Sequence, residues 1–164
     1  MSVDELIDVK SVLQSSEGVG YSDIERLSQI VCSDQVSELN NEVQALIRSI
    51  SEGQASAGLS ARAGIALHLL GKHKEAVTQL EKVQDNATAC FYQAVSLIAL
   101  KRYAEADQKL EAAAKLGYDS IECSLRRAET LRLVGKLDDA ESVLGTISKD
   151  AAGRAEYSFQ MGCI

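Results

Sequence analysis

Proline and tryptophan are absent from these 164 residues, and Phe and Tyr together number only seven. Without proline no helix is interrupted by that route, so the connections rest on Gly, Asn, Asp and Ser. A core this poor in rings is filled by Ala, Leu, Ile and Val, which suits closely packed helices. Histidine occurs twice, His68 and His73, and the four cysteines (Cys32, Cys90, Cys123, Cys163) are scattered without a CxxC pair. Metal-ligand spacing is therefore missing, and neither a metal nor another cofactor is expected. Reduced, partly buried thiols in a cytoplasmic protein are the simplest account of the cysteines. The acidic start MSVDELID lacks the apolar stretch of a secretory signal. The most apolar window, Val95–Leu100, is too short and too near Lys101-Arg102 to cross a bilayer, so membrane insertion is not expected. No G-x-S-x-G, Walker-type loop or paired histidines occur, and an enzyme is not expected.

Charge is present but uneven. Residues 1–53 hold ten acids against three bases, whereas residues 54–164 hold fourteen of each, so the whole net charge of −7 lies in the first third. This marks a boundary near Glu52-Gly53 between an acidic segment, 1–53, and a balanced one, 54–164. An acidic chain argues against nucleic acid or an anionic membrane as the main partner. The acidic segment is read as a solvated face that aids solubility, with charge-guided docking as its rival.

The acidic segment reads as helices. Ser2 and Glu5 form a capping box ahead of Leu6, Ile7, Val9, Val12 and Leu13, and Ser15 to Gly18 stops that run. Ser22 and Glu25 repeat the signature ahead of Ile24, Leu27, Ile30 and Val31. A third helix carries Val36, Leu39, Val43, Leu46 and Ile50 in one apolar stripe, short for a coiled coil and suited to packing on its own domain.

Beyond Gly58 three stretches superpose: Gly64–Val83, Ala94–Ala113 and Ala128–Ile147. Each opens on a small residue (Gly64, Ala94, Ala128) followed by a leucine three places on (Leu67, Leu97, Leu131). Each then shares a turn, an acid–alanine pair (Glu75-Ala76, Glu105-Ala106, Asp139-Ala140) and a leucine (Leu80, Leu110, Leu144). The short turns Gly71-Lys72-His73, Lys101-Arg102-Tyr103 and Gly135-Lys136-Leu137 make every copy an antiparallel helix pair. The alanine slot follows from the crossing of those helices, where only a small side chain fits. The small slots are 30 residues apart from 64 to 94 but 34 apart from 94 to 128. A deficit of four is about one helical turn, so the second helix of copy one is the short one. Lys115-Leu116-Gly117 reads as a glycine stop and Ser120 as the cap of the next helix.

These copies resemble the tetratricopeptide repeat (TPR) family, built from helix–turn–helix units of about 34 residues. The likeness covers roughly residues 57–164, as units near 57–86, 87–118 and 121–152 with a partial fourth at 154–164. It departs from the family in lacking the large aromatic near the start of each unit and the proline at its end. The resemblance implies an all-α architecture: an α-solenoid of antiparallel helix hairpins, a right-handed superhelix, here with extra N-terminal helices.

Gly162 lies 34 residues beyond Ala128, in the small slot of the fourth unit. Phe159, Met161 and Ile164 are apolar where a terminal helix usually turns a polar face outward. The expectation is a piece of a longer repeat protein, or else a chain whose last helix is covered by a second copy of itself.

Family resemblance implies a concave groove lined by the first helix of each unit, which holds a partner's peptide or helix. Carried onto this chain, the peptide-binding residues are Ile65, His68, Phe91, Val95, Ile98, Leu125, Glu129 and Arg132, flanked by Ala61, Leu69, Ala99, Leu133, Phe159 and Cys163. Some members clamp a partner's terminal carboxylates with lysine and asparagine. Here Ala61 and Ile65 occupy those slots in copy one, Glu122 replaces a lysine in copy three and only Arg126 matches, so acidic tails are not the expected partner. The apolar middle of the groove either receives a hydrophobic partner segment, with Phe91 and Ile98 as anchors, or is filled in cis by an N-terminal helix bearing Leu27, Ile30 and Val31. His68 is read as a passive wall residue or a ligand contact. Arg126, Arg127 and Arg132 form a solvated face paired with Glu122 and Glu129, or else an acidic partner's site. The expected function is a non-enzymatic protein–protein interaction module, an adaptor or scaffold. A small chaperone for a secreted client and a self-associating module, a homo-oligomer through the C-terminal face, are the alternatives.

Overall fold

The computed structural model describes residues 6–15, 18–54 and 56–164. Ten helices and no strand occur among the described residues, and the chain divides into two compact units, 1–84 and 85–164. The capping box expected at Ser2 and Glu5 lies outside the described residues. The compositional boundary near Glu52-Gly53 falls inside the first unit.

The first unit holds α1 (Val9–Gln14), α2 (Tyr21–Val31), α3 (Val36–Ser51), α4 (Ala57–Leu69) and α5 (His73–Leu80). α1 starts later than its apolar pattern suggests, because Asp8 caps it by accepting from the Ser11 amide at 3.0 Å. Ile7 precedes the helix, where its N–H donates to Gln35 Oε1 (3.1 Å) and its carbonyl accepts from Gln35 Nε2 (2.9 Å). The start of α2 also moves. Asp23, not Glu25, reaches back to accept from the Gly20 amide at 3.0 Å, so Ser22 lies inside the helix. The stripe of α3 buries Leu39, Val43, Leu46 and Ile50, and α3 packs on α1, α2 and α4.

α4 is the centre of this unit. Every residue from Ser60 to Leu67 is buried, and α1, α2, α3 and α5 all pack on it. Its small slot is tight: a Cβ placed on Gly64 would lie 2.7 Å from Leu80 Cδ2, closer still to Leu80 Cγ, and 3.3 Å from the Ala76 carbonyl oxygen. Glycine at this position is what lets α4 and α5 approach. α5 spans 8 residues against 13 in α7, which accounts for the shorter spacing of the first copy.

The second unit holds α6 (Ala87–Ala99), α7 (Tyr103–Lys115), α8 (Ser120–Leu133), α9 (Leu137–Ala151) and α10 (Ala155–Gly162). Helix pairs α6–α7 and α8–α9 each enclose a core. The first gathers Cys90, Phe91, Ala94, Leu110, Ala113 and Cys123; the second gathers Leu125, Ala128, Ala140, Leu144, Ile147 and Ala151. Ala94, Ala106, Ala128 and Ala140 are all at most 1% exposed, as a close crossing demands.

The three turns share one hydrogen-bond pattern. Lys72, Arg102 and Lys136 donate to the carbonyls of Leu67, Leu97 and Leu131 at 2.9 Å in each case, while the preceding residue bonds to His68, Ile98 or Arg132. This paired closure requires a left-handed residue at the first position. Gly71 and Gly135 supply it readily, but in the second copy Lys101 adopts φ 61 and carries the strain of its Cβ. Helices α4 and α6 are capped by Ser56 and Asn86. For α8 the cap is Asp119 and not Ser120: Asp119 Oδ1 accepts from the amides of Ile121 (2.9 Å) and Glu122 (3.2 Å), which makes Ser120 the first helical residue.

Candidate functional site

Within the second unit, α8 and α10 leave a groove of about 350 Å³ between them. Its walls are Glu122, Leu125, Arg126 and Glu129 of α8 and Ala155, Glu156, Phe159 and Gln160 of α10. The α8 residues recur at intervals of three and four, so one helical stripe forms that wall. Phe159 is 62% exposed although it belongs to this apolar lining.

Electrostatics set the character of the groove. Arg126 Nε meets Glu122 Oε1 at 3.1 Å and its Nη1 meets Glu129 Oε2 at 3.2 Å. Burial alone would lower the guanidinium pKa, but the two carboxylates outweigh it and hold the group charged. With Glu156 the lining carries three acids and one base, and that base is engaged by two of the acids. The Gln160 side chain is only 8% exposed, and its Oε1 is buried without a hydrogen-bond partner.

The openings of α8 and α10 are tied together. Arg154, which precedes α10, places Nη2 3.5 Å from Oδ2 of Asp119. Burial would raise the Asp119 carboxyl, yet the amides of Glu122 and Ile121 and the Arg154 charge bring it below the ordinary carboxylate range.

Leu125 and Glu129, expected to bind peptide, thus line one groove with Phe159. Leu125 is 4% exposed and supplies the floor rather than an accessible contact. Arg132, one turn further along α8, is half-buried and outside the lining. Phe91 belongs to the core. It is 6% exposed and stacks on Tyr118, with ring centroids 4.1 Å apart and planes 13° apart, so it cannot anchor a ligand. Val95 and Ile98 are half-buried and pack against the same core. In the first unit Ile65 is fully enclosed, on a helix against which α1, α2, α3 and α5 all pack, and it offers no face to a partner. His68 is half-buried, its ring 5.3 Å from that of His73. Arg127 faces away from the groove and pairs with Asp107 of α7 at 2.7 Å.

Arg62 escapes a sequence reading altogether. It is 1% exposed in α4, pairs with Asp23 of α2 at 3.0 Å and donates to the carbonyls of Val12, Ser15 and Gly18. Its one visible signal is being a lone cation within an apolar helix. Gln160 likewise carries no motif.

Burial raises the thiol pKa of Cys90 and pushes that of Cys123 up to about 11, so neither is a ready nucleophile. Among the described residues no group of three or more His, Cys, Asp or Glu side chains could hold a metal ion, and no helix is long and apolar enough to cross a membrane.

No protein-family model matches the chain, and no curated protein does. Among solved structures, MamA (MamA AMB-1, crystal form P212121) superposes with a TM-score of 0.66, covering 90% of this chain and 82% of that one at 18% identity. The fold is TPR-like. At that identity the likeness speaks for the helical repeat architecture, with which the three hairpins and their shared turn pattern agree.

Proposed function

We propose that this chain is a non-enzymatic protein-interaction module, an adaptor or scaffold, whose working surface is the α8–α10 groove. The observation that carries this reading is Phe159. A large ring left 62% exposed beside an apolar floor is a surface built for contact. On this reading residues 54–164 form the repeat array and residues 1–53 its N-terminal addition. A chaperone holding a secreted client would use the same groove. The buried free thiols Cys90 and Cys123 support a reducing, cytoplasmic setting.

Site-specific photo-crosslinking tests the reading in the source cell. A crosslinker in place of Phe159 should capture a protein partner, while one in place of Tyr21, 84% exposed in the first unit, should not. Equal capture at both positions, or none at Phe159, removes the groove as the working site.

Self-association is a second reading, favoured by the exposure of Met161 (40%) and Ile164 (38%) beyond the groove. It predicts a sedimentation mass that rises with concentration and falls back in Met161→Glu.

A further inference from the structure

We infer that the occupant of the α8–α10 groove is a basic amphipathic segment of another protein: an apolar side chain set between Leu125 and Phe159, with lysine or arginine flanking it. This deepens the proposed function and rests on it. The charge of the lining is the first argument. Glu122, Glu129 and Glu156 face one cation, Arg126, which already bridges two of them. The groove therefore holds negative charge in excess, and an incoming cation completes a network that Arg126 leaves two acids short of balance. An acidic segment would meet like charge on both walls, and an anionic lipid or nucleic acid would too.

Gln160 is the second argument, independent of charge. Gln160 lines the groove, and its Oε1 is buried with no hydrogen-bond partner. A buried acceptor left unmet is costly, and a turn of the Gln160 amide toward the groove would let an N–H or ammonium donor from the occupant satisfy it. The size of the groove fixes the scale of recognition. About 350 Å³ is at the small end for ligand sites and takes a few side chains, not a folded domain. Phe159 is the natural anchor, since a partly exposed aromatic gains most from being covered.

The test uses the full chain and two designed 16-residue helical peptides of identical pattern, one of leucine and lysine, the other of leucine and glutamate. Fluorescence anisotropy should show the lysine peptide binding at least tenfold more tightly than the glutamate one, with an affinity that falls as salt rises. Because residues 1–53 carry the whole net charge of the chain, they are a competing site for a basic peptide. Glu156→Lys should therefore weaken the lysine peptide about tenfold, whereas Glu25→Lys, an exposed reversal in α2, should leave it unchanged. Phe159→Ala should weaken both peptides without altering the circular dichroism spectrum. If Glu25→Lys is as damaging as Glu156→Lys, or if neither Glu156→Lys nor Phe159→Ala matters, the groove itself is overturned as the site. If Phe159→Ala weakens both peptides but the two bind equally well, the groove stands and its preference for cations is overturned. A concentration-dependent dimer abolished by Glu156→Lys would make a second copy of this chain the occupant and overturn the assignment to another protein.

Discussion

Arg62 is the sharpest place to ask what joins the N-terminal helices to the first repeat. Its guanidinium is 1% exposed, 3.0 Å from Asp23, and donates to three carbonyls in and after α1. Arg62→Met keeps an apolar stem but removes the cation that Asp23 pairs with; Asp23→Asn removes the Asp23 charge from beside the buried guanidinium. Breaking a buried pair from either side costs about 3–5 kcal/mol. The double variant carries neither charge, so that penalty disappears. What persists is the Val12 carbonyl, whose residue is buried and whose lost donor costs about 1–3 kcal/mol. Gly18 is exposed and Ser15 partly so, and water takes over their carbonyls. The double variant should thus be more stable than either single one by roughly 2 kcal/mol. With two compact units a single unfolding free energy is not assumed, so amide exchange over residues 9–31 is read by mass spectrometry alongside urea unfolding. The single variants should lose protection in α1 and α2, and the double variant should regain part of it. Full protection in Arg62→Met, or single effects that simply add, would refute the lock.

Five further outcomes follow from the packing and the charges. Gly64→Ala gains about 1 kcal/mol of helix propensity but loses about 1–3 by overpacking Leu80 and Ala76, for a net fall in Tm. Gly145→Ala in α9, where a Cβ meets nothing within 4 Å, should instead raise Tm by its propensity gain alone. Lys101→Gly should stabilise the chain by up to about 1 kcal/mol in urea unfolding, since it removes the left-handed strain at φ 61. Phe91→Ala should cost about 3–5 kcal/mol of folding stability and leave peptide affinity at the α8–α10 groove unchanged. Asp119 has a depressed carboxyl pKa, so its charge stabilises the fold above the unfolded value of about 3.9 and that contribution is lost as pH falls through the folded value. Asp119→Asn should therefore be less stable than the parent at pH 7, and the difference should close as the pH falls through the acid range.

The repeats were legible because a close helix crossing constrains residue identity at fixed spacing. Gly64, Ala94 and Ala128, the paired alanines and the turn residues recur for that reason. Caps were legible only to within a residue or two. Asp119 beside Ser120 and Asp23 beside Ser22 offer competing acceptors, and backbone geometry at the junction decides between them. The N-terminal helices were legible as helices but not as part of the first unit. Their anchor, Arg62, grips backbone carbonyls, which leave no mark in a sequence. Position within a repeat says which face a side chain takes, not what covers that face. Ile65 and Glu129 hold the same place in their copies, yet Ile65 is fully enclosed and Glu129 lines a groove.

The contrast between α4 and α8 shows how one hairpin design yields two roles. α4 carries a single charged residue, Arg62, and every position from 60 to 67 is buried, so it acts as the axis around which its unit condenses. α8 keeps the same small slot and leucines but sets Glu122, Arg126 and Glu129 along one stripe. Those charges form their network on the surface of α8, and a helix laid flat over them would have to strip their water. Only apolar Leu125 between them invites burial. The stripe therefore resists being filled by a purely apolar element of its own chain while remaining open to a segment that brings cations with it. In this fold the decoration of the first helix, rather than the repeat itself, decides whether a copy is buried as core or left open as the wall of a groove.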